Sequence, residues 1–220
     1  MKKRLISASA LLLTVATAIG LDRMARRPLR EIPIFTTALL IGVLLMGAFE
    51  LRTLFAKWGK FRKPFPIALI CIGVPGAFLV ALRLRENGLL LLLTLIVVAK
   101  MVDNGALLVG SLWGRRHFAP KISPNKTVEG LWGGLIIGTA TAMLLGIFLL
   151  QSTWLFGLIF GLLISPLAIS GDLAASYLKR KAGVKDSGTL LPGIGGVIDL
   201  MDSILLSAPL GYFVLSNLQA

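Results

Sequence analysis

Seven apolar runs alternate with short polar stretches along the chain, near residues 5–21, 33–49, 65–82, 88–112, 131–150, 153–173 and 202–218. As a helix, rising about 1.5 Å per residue, each run covers most or all of a hydrocarbon core about 30 Å thick. A helix satisfies its own backbone donors and acceptors where water is absent. The pattern therefore predicts an all-α fold, a polytopic transmembrane helical bundle of about seven spans, with six to eight as the range. No internal repeat or soluble second domain interrupts it. Residues 1–220 read as a single integral membrane domain, with N-terminal helices over 1–100 and the polar motifs gathered in 101–220.

The connecting stretches set the orientation. Gln151-Ser152-Thr153 carries no charge, whereas 113–130 and 179–186 are rich in Lys and Arg, which places both basic loops in the cytoplasm. Arg52, Lys57, Lys60, Arg62 and Lys63 in the 50–63 segment fit the same side by alternation. The first connection breaks the rule: Arg23, Arg26, Arg27 and Arg30 would fall outside if residues 5–21 crossed the bilayer, so that run is expected at the interface or re-entering. The N-terminus also resembles an export signal, with a basic start, an apolar middle and the small-residue triplet Ala16-Thr17-Ala18. The arginines just downstream argue against export of the next segment, and favour an uncleaved first run.

Composition agrees. Of 220 residues, 56% are hydrophobic and 15% charged, with a mean hydropathy of +0.86. The single cysteine, Cys71, excludes an intramolecular disulfide and argues against redox chemistry. The formal net charge of +13 would suggest nucleic acid in a soluble protein. Here the bases sit between apolar runs, where they orient the chain and meet anionic lipid headgroups, leaving a subset for a phosphorylated substrate.

The acids are harder to place. Five of the six aspartates, Asp103, Asp172, Asp186, Asp199 and Asp202, lie between 103 and 202, with only Asp22 before them. A charge at membrane depth costs roughly 2.5–3.5 kcal/mol, so Asp172, Asp199 and Asp202 need cations. On a helix, Asp199 and Asp202 at i and i+3 share a face, as do Asp172 and Ser176 at i and i+4. Two helices could thus present carboxylates to one point. Hard oxygen donors without cysteine or histidine favour Mg²⁺ over zinc or a redox metal. The alternative is structural pairing of each acid with Lys179, Arg180, Lys181 or Lys185.

Two segments look suited to phosphate. Pro192-Gly193-Ile194-Gly195-Gly196 lets backbone N–H groups approach a ligand just before a helical segment, an anion-binding arrangement when combined with Lys179, Arg180 and Lys185. Upstream, Ser123-Pro124 reads as a helix start with Asn125 and Lys126 in its first turn, suited to a triphosphate tail. His117, beside Arg115 and Arg116, reads as a solvated loop residue.

These residues carry a resemblance. Ser176-Tyr177-Leu178-Lys179-Arg180, Lys185-Asp186-Ser187-Gly188, Pro192-Gly193, Gly195-Gly196, Asp199 and Asp202 resemble the C-terminal signature of the phosphatidate cytidylyltransferases, the CDP-diacylglycerol synthases. Asp103, Gly110, Gly114-Arg115, Ser123-Pro124, Lys126, Glu129-Gly130 and Gly171-Asp172 follow the family's order and spacing. The likeness covers roughly the last half of the chain and thins to the Lys-Lys-Arg start and the Glu50-Leu51 region. Two positions depart from the pattern: Ile194 stands where histidine is usual, and Leu200 where arginine is.

The resemblance implies a Mg²⁺-dependent nucleotidyltransferase in phospholipid biosynthesis. The phosphate of phosphatidic acid would attack the α-phosphorus of CTP, giving CDP-diacylglycerol and pyrophosphate. It implies metal binding at Asp172, Asp199 and Asp202, catalysis by these with Lys179, and phosphate or substrate contacts from Asp103, Arg115, Ser123, Lys126, Ser176, Arg180, Lys185, Asp186, Gly193, Gly195 and Gly196. Mn²⁺ could replace Mg²⁺, and a monovalent cation could join it. The partners are CTP, phosphatidic acid and membrane lipids, with a homodimer admitted and no nucleic acid; the setting is the cell inner membrane, with the site facing the cytoplasm. Three alternatives stay open: a CTP-dependent enzyme acting on another lipid such as an isoprenoid, an inactive homologue, and a cation transporter.

Overall fold

The computed structural model of the chain describes residues 2–25, 33–60, 62–120, 122–188 and 195–219. Gly193 and Ile194 of the glycine segment lie outside the described residues. Among the described residues seven α-helices are arranged in the order α1 (Lys2–Ala25), α2 (Ile34–Trp58), α3 (Pro64–Arg83), α4 (Gly88–Trp113), α5 (Val128–Phe148), α6 (Trp154–Lys181) and α7 (Val197–Ser216). The described residues contain no β-strand. By length and composition six of the helices, α2 to α7, are suited to cross a bilayer. The chain is a polytopic helical bundle, as the apolar runs predict.

Local chemistry sets the boundaries. Pro64 opens α3, where its missing N–H costs nothing. Thr127 and Thr153 cap α5 and α6 by accepting from the Gly130 and Phe156 amides, contacts typically worth about 1 kcal/mol. Gly59 ends α2 at φ 69°, and its N–H meets the Phe55 and Ala56 carbonyls. The expected helix start at Ser123-Pro124 is not formed. Those residues lie in a turn, and α5 begins at Val128 behind the Thr127 cap. The connection 114–127 is instead a small hairpin, closed by Phe118 N–H to Lys126 O (3.2 Å), Val128 N–H to Arg116 O (2.8 Å) and a His117–Thr127 bridge. Proline at 124 suits that turn as well as a helix start, which is why the local signal misled.

The first apolar run is a helix whose backbone packs against α2 alone among the described residues. Its anchor is Asp22, which accepts from the amides of Phe35 (2.8 Å) and Thr36 (3.1 Å) and from the Thr36 hydroxyl. Pro33 provides no side-chain cap for α2, so an acid from α1 serves its first-turn donors. The Arg83 side chain of α3 completes the contact, 3.3 Å from Asp22 and donating to Thr36 Oγ1 at 2.8 Å. Burial works to raise the Asp22 pKa, but these hydrogen bonds and the Arg83 charge hold the carboxyl below its ordinary value.

Helix α7 is the centre of the bundle, packing against α2, α3, α4 and α6. Half of its apolar window is buried, against 39% for α4 and α6. Small residues allow backbones to meet. A Cβ at Gly134 would come 2.7 Å from the Val102 carbonyl, joining α5 to α4, and one at Gly171 would collide with the Asp202 carbonyl, joining α6 to α7. Large apolar side chains such as Leu107, Ile136 and Phe148 point outward, as expected of a lipid-facing surface.

Gly171 therefore fixes the spacing of α6 and α7 beside Asp172 and Asp202. Gly171→Val should push them apart at a cost of about 1–3 kcal/mol. Thermal unfolding in detergent measures it, and an unchanged midpoint would show that the two helices need no backbone contact here.

Candidate active site

Two polar clusters lie within the bundle. The first joins α4, α6 and α7. Lys100 and Asp103, one turn apart on α4, form an ion pair at 3.2 Å, and Lys100 also reaches Asp202 at 3.4 Å and Ser203 Oγ at 3.0 Å. Ser203 is fully buried and donates its hydroxyl to Asp103 at 2.9 Å, while its N–H meets Asp202 at 2.7 Å. On α6, Asp172 pairs with Lys126 from the 114–127 hairpin at 2.7 Å, and Ser176 approaches the same carboxylate at 3.5 Å. Asp103 and Asp172 line one cavity, and Gly171, beside Asp172, packs against the Asp202 backbone. Three carboxylates facing two ammonium groups leave one negative charge in a low-dielectric setting.

A cavity of about 210 Å³ opens beside this cluster, lined by Asp103, Asp172, Ser123, Asn125, Lys126 and Thr127 among others. The hairpin that forms one wall is held from two directions. Glu129 accepts from the amides of Arg115 (3.0 Å) and Arg116 (3.2 Å), and Arg180 at the end of α6 donates to the Ile122 carbonyl at 3.3 Å.

The second cluster surrounds Asp199. Its carboxylate pairs with Lys179 and accepts from Ser187 N–H (2.8 Å), Ser187 Oγ (2.9 Å) and Gly196 N–H (2.9 Å). The last bond caps α7 from within. Gly195 has φ 117°, a conformation open to glycine alone in practice, and a Cβ there would come 2.5 Å from the Asp199 carboxylate.

The structure thus separates residues that the sequence grouped. Asp172, Asp202 and Asp103 share one cluster with Lys126, and Ser123 lines its cavity. Asp199 and Lys179 belong to the other, with Gly195 and Gly196. Arg180 buttresses the hairpin. Arg115 is exposed, and so are Lys185 and Asp186. Lys100, Ser203, Ser187 and the buried Glu50 take part without having been singled out as site residues. Lys100 had a readable signal: a lysine within an apolar run, three residues before an aspartate.

Carboxylate oxygens are the donor type that hard divalent cations take. Asp103, Asp172 and Asp202 offer carboxylate oxygens, no soft ligand is near, and the cluster holds excess negative charge. Among the described residues no three such side chains stand as a preformed metal site; Lys100 lies between Asp103 and Asp202, and Lys126 is paired with Asp172.

Fold and site together define a class: a polytopic membrane protein whose bundle carries a lysine-balanced carboxylate cluster next to a cavity walled by a basic hairpin. The chain belongs to the cytidylyltransferase family, whose family model matches residues 1–218. It is similar to a phosphatidate cytidylyltransferase of Bacillus subtilis, with 40% identity over 152 residues, 68% of this chain and 56% of that protein. A phosphatidate cytidylyltransferase of Helicobacter pylori is 42% identical over 124 residues, 56% of this chain and 46% of that protein. An uncharacterized Escherichia coli protein, YnbB, is 41% identical over 128 residues, 58% of this chain and 43% of that protein. The chain spans about half the length of these relatives.

Ser203 holds the first cluster together, since it serves Asp103, Asp202 and Lys100 at once. Ser203→Ala should destabilise the protein by about 1.5–3 kcal/mol, the range for hydrogen bonds to charged groups. Equilibrium unfolding in mixed micelles tests this, and a loss below a few tenths would show that Lys100 alone satisfies the two acids.

Proposed function

We propose that this chain is a phosphatidate cytidylyltransferase, transferring CMP from CTP to phosphatidic acid and releasing pyrophosphate. The observation that carries the reading is the convergence of Asp103, Asp172 and Asp202 from α4, α6 and α7 beside a cavity walled by Lys126 and Ser123. Relatives bearing that name support it at 40–42% identity.

The chemistry asks little of a general base. A lipid phosphomonoester already carries about −1.5 to −2 charge near neutral pH. One of its oxygens forms a bond to the α-phosphorus of CTP while the bond from that phosphorus to the bridging oxygen of the β-phosphate breaks, and pyrophosphate leaves with the electron pair. Alignment and charge neutralisation then carry the rate. Lys126, Lys179, Arg180 and Lys185 are assigned to the phosphates, with Ser123 and Ser176 as hydrogen-bonding partners. Asp172 and Asp202, with Asp103 beside them, would hold Mg²⁺, and Asp199 orients Lys179 and the first turn of α7. Mg²⁺ or Mn²⁺, when bound, supplies neutralisation of the α-phosphoryl oxygens and the leaving group.

The site is assigned to the cytoplasmic face of the cell inner membrane. The Arg180–Ile122 contact puts the two basic connections on one side of the bundle, and the positive-inside rule makes that side cytoplasmic. A second reading, action on an isoprenoid or other phosphorylated lipid, is favoured by Leu200, an apolar residue in the first turn of α7 where the family pattern has arginine.

The test is incubation of purified protein with labelled CTP, Mg²⁺ and phosphatidic acid. A liponucleotide should form, and Asp172→Asn or Asp202→Asn should lower turnover by roughly 10² or more, about 2.7 kcal/mol, with the protein still folded. Near-normal turnover in both variants would sink the assignment, and product only with an isoprenoid phosphate would select the second reading.

A separate measurement addresses the metal without activity. Lys100→Met removes the ammonium between Asp103 and Asp202, so its thermal midpoint should fall in chelator and recover on adding Mg²⁺ by more than the wild type gains. Equal response of the two proteins to Mg²⁺ would count against a divalent ion at this cluster.

A further inference from the structure

Glu50 lies on α2, far in sequence from the signature segment, yet its carboxylate is buried against it. Oε2 accepts from Ser187 Oγ at 3.0 Å and from the Ile198 N–H in the first turn of α7 at 3.0 Å. Only 6% of the residue is exposed, and Oε1 has no hydrogen-bond partner among the described residues. Two glycines make room for it: a Cβ at Gly188 would come 2.5 Å from Oε1, and one at Gly196 would collide with Oε2.

For stability alone this is a poor choice. A buried carboxylate with an orphaned oxygen bears a desolvation cost that an apolar side chain of similar volume would avoid. What it does achieve is a chain of contacts from α2 into the second cluster. The Ser187 hydroxyl is within reach of both Glu50 and Asp199, at 3.0 and 2.9 Å, and its single hydrogen can serve only one of them at a time. Ser187 N–H and Gly196 N–H fix Asp199, and Asp199 in turn holds Lys179.

We infer that Glu50 is the positioning residue of the signature segment: from α2 it fixes Ser187 and the first turn of α7, and through them the Asp199–Lys179 pair. This rests on the proposed transferase reading for its catalytic consequence but not for its structural one. Glu50 touches neither Lys126 nor the cavity beside it, so its loss acts on the placement of Lys179 and not on the hairpin half of the site.

The experiment compares wild type, Glu50→Ala, Glu50→Gln, Ser187→Ala and the double variant Glu50→Ala with Ser187→Ala, all as full-length protein in lipid nanodiscs. In Glu50→Ala, amide hydrogen exchange at Ser187 and 196–199 should rise about tenfold or more, with α4 and α5 unchanged. Turnover should fall by about tenfold or more while the KM for CTP moves by less than about threefold. Glu50→Gln, which keeps an acceptor for Ile198 and a polar group for Ser187, should restore both. The double variant should be no worse than the poorer single one, because both cut the same link. Should Glu50→Ala fail to fold, Ser187→Ala must show the same local rise in exchange. Unchanged exchange at 196–199, or a fall in thermal midpoint with normal turnover per folded molecule, would overturn the inference. A wild type inactive on every phosphorylated lipid would overturn the transferase reading instead, and the exchange comparison would still decide the role of Glu50.

Discussion

A carboxylate inside a lipid-embedded bundle must be matched by a cation or by several hydrogen-bond donors, and that requirement organises this molecule. Asp22 meets it with two amides, a hydroxyl and Arg83. Asp199 meets it with Lys179, two amides and a hydroxyl. Among the described residues Glu50 meets it in part, through Ser187 and Ile198. The Asp103, Asp172 and Asp202 group differs in kind. Its two lysines fall one charge short, and Lys100 is divided between two acids. Among the described residues Asp22 and Asp199 each have a cation of their own, whereas Asp103, Asp172 and Asp202 share two lysines beside a cavity.

Helix α7 makes this distribution coherent. It supplies Asp199 to one cluster and Asp202 to the other, three residues apart on one face. Contact with α6 at Gly171 and with α4 through Ser203 sets where Asp202 points. The N-terminal amides are divided between Asp199 within the helix and Glu50 from outside it. A displacement of this helix would therefore move both clusters together, which suits a reaction that needs two phosphates brought into line.

Much of the architecture was legible because it rests on local signals. The apolar runs located α3, α4 and α5 and the starts of α2 and α6 within a few residues, since span length is imposed by bilayer thickness, but α2 and α6 continue past their runs into polar sequence, to Trp58 and Lys181. The polar ends were less clear. Ser123-Pro124 carries a start signal that a turn uses equally well, and the true cap, Thr127, differs from it only in what surrounds it. Helix α7 begins at Val197, five residues before the apolar run that marked it, because Gly196 and Asp199 cap it with groups that read as site chemistry. Periodicity put Asp199 and Asp202 on one face, correctly, but could not show that neighbours one turn apart would find different partners.

The residues that sequence reasoning missed share a physical cause. Lys100, Ser203 and Glu50 act across 100 or more positions, as in the Lys100–Ser203, Ser203–Asp103 and Glu50–Ser187 contacts. No local pattern encodes such a pairing. What a single sequence does show is cost: Lys100 and Glu50 each interrupt apolar helix, and a charge there demands a partner even when its identity is hidden. The first segment illustrates the converse. Its arginines raised a topological conflict that basic-residue counting could not resolve, while Asp22, a single acid at the end of that run, proved to be the residue that docks α1 onto α2 and α3. In a membrane chain the acids are thus better guides to tertiary structure than the bases, because bases can remain in the headgroup region whereas an acid inside the bundle has to be met there.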